Sequence, residues 1–343
     1  MTWQNDFSNS IRSLDEASLF FDHPFDEAHY PIFIPKSFAK KIKALGPESV
    51  LWKQFLPNII ENEKSTNSAG GLYDPIGDKI HSKGNQIIHR YANRVLFTPT
   101  TVCPIACRYC FRKNELANHD KIFEPHFNET LNYLRENTEI NEIIFSGGDP
   151  LILTNEKLAN YLEEFSKIEN IKYIRFHTRL PIILPSRIDG QFIDVLKKYS
   201  KKFNRLMLMI HVNHAAEIDA EVADSFLQLN ENGIELFSQT VLLKDVNNNT
   251  DILKELFLKL SDLKVTPYYL HHPDQVLGAM HFYISLEEGR KIFAPLHNQL
   301  PGWALPQYVI DIPGGEGKTS AFNPENFSFS GKLINRNGLT VTL

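Results

Sequence analysis

Cysteine is nearly absent from these 343 residues: there are three, Cys103, Cys107 and Cys110, and none elsewhere. A disulfide framework needs an even number spread along the chain, so that architecture is excluded. No apolar run approaches the roughly 18 residues of a membrane span. The strongest, Leu206–Val212, is strand-sized. Basic residues are not in excess either: 36 Lys and Arg stand against 41 Asp and Glu, a net charge of −5. A broad cationic nucleic-acid footprint is therefore excluded. The opening residues Met1–Asp6 lack a cationic stretch followed by an apolar core, so no export signal is read there. There is no low-complexity tract and no repeat of 20–50 residues. These absences point to a cytoplasmic protein with neither a membrane nor a nucleic-acid partner.

What is present suffices for a sizeable core. Apolar residues make up 42% and charged residues 22%, the ordinary globular balance, which excludes disorder for most of the chain. The first ~90 residues read as irregular with helical patches: Phe38, Ile42 and Leu45 share helical spacing, as do Leu51, Phe55 and Ile59. A loop-like stretch rich in Gly, Ser, Asn and Asp follows between Ser65 and Asn85. From Arg94 the pattern alternates. Candidate strands are Arg94–Thr98, Glu142–Ser146, Tyr173–His177, Leu206–Val212, Leu236–Leu243 and Val265–Leu270, with Gln307–Ile312 beyond them. Between them run the helical stripes Leu158/Leu162/Phe165, Phe192/Leu196/Tyr199 and Leu253/Leu256/Leu260. Six strands alternating with helices predict an α/β fold, a parallel sheet that is open or curled into an incomplete barrel. In such sheets function gathers beyond the C-terminal strand ends. The polar residues obey this rule: the cysteines follow the first strand, Gly147-Gly148-Asp149 the second, His211 and Asn213 the fourth, Asp274 the sixth.

The segment Thr98–Lys113 reads TPTTVCPIACRYCFRK, a C-x₃-C-x₂-C spacing directly after a strand. Clustered thiolates suit an iron–sulfur cluster or zinc. Zinc wants four protein ligands, and a histidine such as His119 would have to complete the set. Three thiolates on a four-iron cluster leave one iron open to a substrate or cofactor. Tyr109, between the last two cysteines, would shield a cluster from solvent. Near the end stands Asp311-Ile312-Pro313-Gly314-Gly315-Glu316-Gly317-Lys318-Thr319. A phosphate-binding loop would need glycine at 312, where isoleucine stands, so the nucleotide reading fails. A lysine approached by glycines can instead form a Schiff base with pyridoxal phosphate.

The C-x₃-C-x-aromatic-C motif resembles the radical S-adenosylmethionine enzymes. With His89-Arg90-Tyr91-Ala92-Asn93-Arg94, SGGDPL, His211-Val212-Asn213-His214, Gln239–Leu243, Pro267-Tyr268-Tyr269 and DIPGGEGKT, the chain from about Phe33 resembles the lysine 2,3-aminomutase family. The resemblance implies a (βα)6 TIM-like partial barrel over residues 90–300. It also implies an N-terminal helical segment, 1–89, and a C-terminal pyridoxal-binding segment, 301–343. It implies three cofactors: a 4Fe–4S cluster on Cys103, Cys107 and Cys110, S-adenosylmethionine, and pyridoxal phosphate on Lys318. Ser146, Gly147, Gly148 and Asp149 would lie at the methionine moiety, and Arg90, Tyr91 and Arg94 near the pyridoxal phosphate group. Arg112 would clamp the substrate carboxylate, Asp274 and Asp311 the distal ammonium, while His211 and Gln239 would line both cofactor sites.

The implied activity is conversion of L-lysine to β-lysine, with an external electron donor and a possible homo-oligomer. The segment Ile34–Phe38 resembles the branch that makes β-lysine for elongation factor P, whereas DIPGGEGK resembles the free-lysine enzymes, and free lysine is favoured. No cysteine is left for a structural zinc, Asn249 standing where longer members place a ligand. The competing readings are a mutase for another amino acid such as arginine, and an iron–sulfur redox or scaffold protein without mutase activity.

Overall fold

The computed structural model describes residues 2–25, 30–63, 70–84, 86–116, 127–322, 332–334 and 339–342. Its centre is one nine-stranded sheet whose strands lie in chain order. They are β1 (Ile87–Tyr91), β2 (Arg94–Thr100), β3 (Glu142–Gly147), β4 (Tyr173–Thr178), β5 (Arg205–His211), β6 (Glu235–Val241), β7 (Thr266–His271), β8 (Gln307–Ile312) and β9 (Gly317–Ser320). From β2 to β8 every pairing is parallel, whereas β1 and β9 pair antiparallel at the two margins. Helices Phe127–Glu136, Asn155–Ser166, Gly190–Ser200, Ala220–Glu231, Thr250–Asp262 and Leu286–Phe293 fill the six crossovers. The predicted partial barrel is thus present, with Gln307–Ile312 joining the six expected strands as a seventh parallel one. The sheet draws on residues on both sides of positions 89/90 and 300/301.

Local sequence explains the elements. Crossover helices open on side chains that accept from an early backbone N–H: Thr154, Asp189, Asp219, Asn249 and Ser285. Asn249 is therefore a helix cap here. The three helical stripes predicted from spacing are buried throughout. Two N-terminal readings differ. Leu45 is exposed, because the helix Lys36–Leu45 stops at Gly46, and Ile59 lies beyond the helix Val50–Phe55 and is also exposed. No helix among the described residues is long and apolar enough to cross a membrane.

The two faces of the wall differ by the period-two rule. In β4, Ile174 and Phe176 point outward beneath the helices and are fully buried, Phe176 stacking on Phe145 with ring centroids 4.4 Å apart. The alternate residues, Tyr173, Arg175 and His177, line the interior. Apolar packing thus holds the outside of the wall, at about 1.5–3 kcal/mol for each large side chain removed from water. The inside carries the charged groups, set among apolar side chains such as Met207, Met209 and Phe237.

The margins β1 and β9 are tied by side chains. Lys318 N–H donates to Tyr91 Oη (2.8 Å), and His81 Nε2 and Gly315 O are 2.8 Å apart. Residues 70–84 form a strap across this seam. Its Leu72 pairs with the chain beyond Asp274, through Leu72 N to Gln275 O (2.9 Å) and Leu277 N to Leu72 O (3.0 Å). At Gly77, with φ +69°, a Cβ would lie 2.4 Å from Gly315 N. Gly46, with φ +82°, has open space around it. Gly77→Ala should therefore destabilise the protein by more than the ~1–3 kcal/mol of backbone strain that Gly46→Ala incurs alone. Urea unfolding of the two variants checks this, and equal losses would contradict the packed seam.

Candidate active site

The cysteine loop begins where β2 ends, and neighbouring chain fixes it from behind. Arg108, lying between Cys107 and Cys110, points away from the cavity. Its guanidinium is fully buried on Glu61 (Nε to Oε1 2.8 Å, Nη2 to Oε2 2.5 Å), which also receives Lys113 Nζ at 3.1 Å. Ala106 N donates to Phe33 O and Arg108 N to Gln54 O, so the N-terminal segment forms the loop's backing.

The turn Ser146–Asp149 presses on the loop from the side. Added Cβ atoms at Gly147 and Gly148 would sit 2.2 Å from Thr100 O and 2.3 Å from Val102 O. These glycines are required by contact between two backbones of this chain. The Asp149 carboxylate is likewise spent on the protein: it accepts from Leu151 N, Thr178 Oγ1, Arg179 N and Leu180 N at 2.7–3.0 Å.

The three thiols line a cavity of about 830 Å³ in the barrel interior, together with Arg112, Asp274, Asp311 and Lys318. Burial raises all three thiols above the usual range, Cys110 to about 12; neighbouring thiols add to it at Cys103 and Cys110, whereas Arg179 opposes it at Cys107. Tyr109 is buried beside them, its Oη 3.0 Å from His211 Nε2. Gln239 Nε2 lies 3.5 Å from His177 Nε2. His119 lies outside the described residues.

Charged groups converge around Asp78 and Asp311. Arg112 Nη2 donates to Asp78 Oδ2 (2.7 Å) and Nη1 to Gly147 O (3.1 Å), while its buried Nε has no protein partner. Arg90 Nη2 donates to Asp78 Oδ1 (2.9 Å), and its Nη1 lies 3.6 Å from Asp311 Oδ1. Lys318 Nζ lies 2.8 Å from Asp311 Oδ2. Asp274 has no ion pair among the described residues. Burial, and then the neighbouring Asp311 charge, raise its carboxyl to about 7 against the partial opposition of Lys318. Arg94 stands apart from Arg90: its guanidinium stacks 3.8 Å above the Tyr91 ring centroid and donates to Asn93 Oδ1. His177 and His271 are held well below the usual range by burial, with Lys318 among the cations that add to it, so both rings are neutral.

A family model of the Radical SAM superfamily matches residues 97–256. A protein of Aquifex aeolicus named putative L-lysine 2,3-aminomutase is 34% identical over 293 residues, 84% of this chain and 77% of that one. L-lysine 2,3-aminomutase of Buchnera aphidicola is 32% identical over 325 residues, 92% of this chain and 94% of that one. The Escherichia coli protein of the same name is 33% identical over 290 residues, 84% and 83% of the two chains. The chain belongs to the lysine 2,3-aminomutase family of radical S-adenosylmethionine enzymes. It is accordingly an enzyme of the isomerase class with a small amino acid as substrate, and the family implies an iron–sulfur cluster and S-adenosylmethionine. The redox or scaffold reading is set aside.

Sequence reasoning missed Asp78, Glu61, Arg175, His177 and His271. The last three carried a signal, since polar residues alternate with apolar ones in β4, and His271 falls at the end of β7. Asp78 and Glu61 carried none, because their partners lie elsewhere in the chain. The raised Asp274 carboxyl gives a pH prediction. Between 3.8, its usual value, and about 7, the folded chain holds a proton that the unfolded chain releases. Stability of the ligand-free protein relative to Asp274→Asn should fall as pH rises across that window and level off above it. Urea unfolding at a series of pH values measures the difference, and parallel curves would contradict it.

Proposed function

We propose that this enzyme converts L-lysine to β-lysine, with pyridoxal phosphate covalently held by Lys318 and free lysine as the substrate. The observation that carries the proposal is the charge arrangement around the Lys318 amine. Asp311 pairs with that amine at 2.8 Å, and Asp274 stands near it with a raised carboxyl that would lose its proton to solvent when a second cation arrives. With the Lys318 nitrogen holding the cofactor, Asp311 would be left to face another cation. The two acids then match an ammonium at the end of a flexible substrate. Glutamate would bring a third carboxylate there and be repelled.

The donor sets fit the implied groups. Three thiols that among the described residues do not converge as ligands of a single ion suit a larger iron–sulfur object at the cavity wall. The buried Arg112 Nε is an unused donor for the substrate carboxylate. Arg94 and Tyr91 are suited to the phosphate, whereas Arg90 is already committed to Asp78 and Asp311. When bound, the cluster with S-adenosylmethionine supplies a primary radical able to take hydrogen from a saturated β-carbon, and pyridoxal spreads the unpaired electron while nitrogen migrates. The protein orients the zwitterion from both ends and keeps neutral His177 and His271 along the wall.

Borohydride reduction of the loaded protein followed by peptide mapping should place the label on Lys318, and a label on another lysine would overturn the assignment. Asp311→Asn should raise the KM for lysine by roughly one to two orders of magnitude, as expected for a lost charge-assisted hydrogen bond of ~1.5–3 kcal/mol. Norleucine, which has no side-chain ammonium, should not turn over. Faster turnover of arginine than of lysine would move the substrate assignment.

A further inference from the structure

We propose that Arg179 is a positioning residue for the iron–sulfur centre. Its guanidinium donates a hydrogen bond to the Cys107 sulfur and raises the potential at which the cluster accepts an electron. This rests on the cluster reading of the three cysteines and is independent of which amino acid is the substrate.

Arg179 directly follows β4 and is buried. Nη1 donates to Cys107 Sγ at 3.4 Å, within reach for a sulfur acceptor. Nη2 donates to Glu217 Oε2 (2.6 Å) and Gln54 Oε1 (3.1 Å). The planar group also lies over the rings of Phe55 (4.6 Å) and Tyr109 (5.5 Å). Its partners are themselves locked. Glu217 Oε1 accepts from Gln54 Nε2 (3.1 Å), Asn213 N (3.0 Å) and His214 N (3.0 Å), and Asn213 Nδ2 donates to Gln54 Oε1 (3.0 Å). Gln54, Asn213 and Glu217 are all fully buried. Three separate parts of the chain therefore fix one guanidinium: the helix Val50–Phe55, the turn after β4 and the turn after β5.

Stability alone does not explain this arrangement. A desolvated ion pair gains little over apolar residues of the same volume, since removing both charges from water offsets their attraction. What the network does achieve is geometric: it aims a permanently charged donor at one sulfur. A donor on a ligating thiolate withdraws electron density from the metal. Hydrogen bonds and net charge at the sulfurs set cluster potentials. When an external low-potential donor gives the cluster one electron, the negative charge gained is stabilised by the nearby guanidinium. Glu217 partly cancels that field, so the pair sets a level between two extremes.

The test uses full-length protein reconstituted anaerobically, with iron and sulfide measured per chain. Midpoint potentials are read by spin-resonance-monitored dithionite titration without S-adenosylmethionine. Arg179→Gln should keep the iron content and shift the midpoint to more negative potential. Glu217→Gln, which leaves the cation without its counter-charge, should shift it to more positive potential. Midpoints equal to that of the parent in both variants would overturn the proposal. So would an unchanged midpoint in Arg179→Gln with weakened S-adenosylmethionine binding, which would assign the guanidinium to that cofactor. If Arg179→Gln assembles no cluster, Glu217→Gln decides: a positive shift supports the proposal and no shift overturns it. A parent protein that assembles no four-iron cluster would instead refute the cluster reading itself.

Discussion

An ionised group inside a protein wall must find a counter-charge or give up its charge, and the interior of this barrel is organised by that rule. Arg175 lies 3.0 Å from Glu142, Arg90 and Arg112 share Asp78, Arg179 meets Glu217, and Lys318 meets Asp311. Asp149 is satisfied by neutral donors, whereas Asp274 has no ion pair among the described residues. It solves the problem by keeping its proton near neutral pH, which makes it the place where an arriving cation gains most. The same rule explains how charged groups inside the barrel coexist with a stable fold. Cohesion lies outside the wall, where Phe145, Phe176, Leu208 and Leu256 are fully buried beneath the helices.

The seam between β1 and β9 links this charge arrangement to the backbone. Asp78, which holds both Arg90 and Arg112, sits on the strap that crosses the seam. The strap in turn is hydrogen-bonded to the chain beyond Asp274 and packed on the glycine turn before Lys318. A shift of the strap would therefore displace a carboxylate, two guanidinium groups and the lysine loop together. The cysteine loop is set separately, by Arg108 on Glu61 behind it and by Gly147 and Gly148 at its side. One face of the cavity is thus positioned by the N-terminal helices and the other by the strap.

The sequence made the parallel strands legible because their outward residues are nearly uniformly apolar and their caps are ordinary Thr, Asp, Asn and Ser. The margins were harder. β1 holds Ile87-Ile88-His89-Arg90-Tyr91 and β9 holds Gly317-Lys318-Thr319-Ser320, with little apolar alternation between them. They are strands because the neighbouring edges accept them. The cysteine cluster and Lys318 were recognisable from spacing and motif. The glycines of SGGDPL were recognisable as necessary, and the fold adds a reason the sequence did not show, their contact with Thr100–Val102. Asp78, Glu61 and Glu217 were invisible, since a carboxylate's importance here depends on which guanidinium the fold brings to it.

The central claim is that this interior moves an amino group between adjacent carbons of lysine. It is tested most directly by incubating the reconstituted protein anaerobically with dithionite as reductant, S-adenosylmethionine, pyridoxal phosphate and lysine carrying ¹⁵N only at its α-nitrogen. β-Lysine with the label on carbon 3 is the expected product. Recovery of unrearranged lysine while S-adenosylmethionine is cleaved to 5′-deoxyadenosine would contradict it.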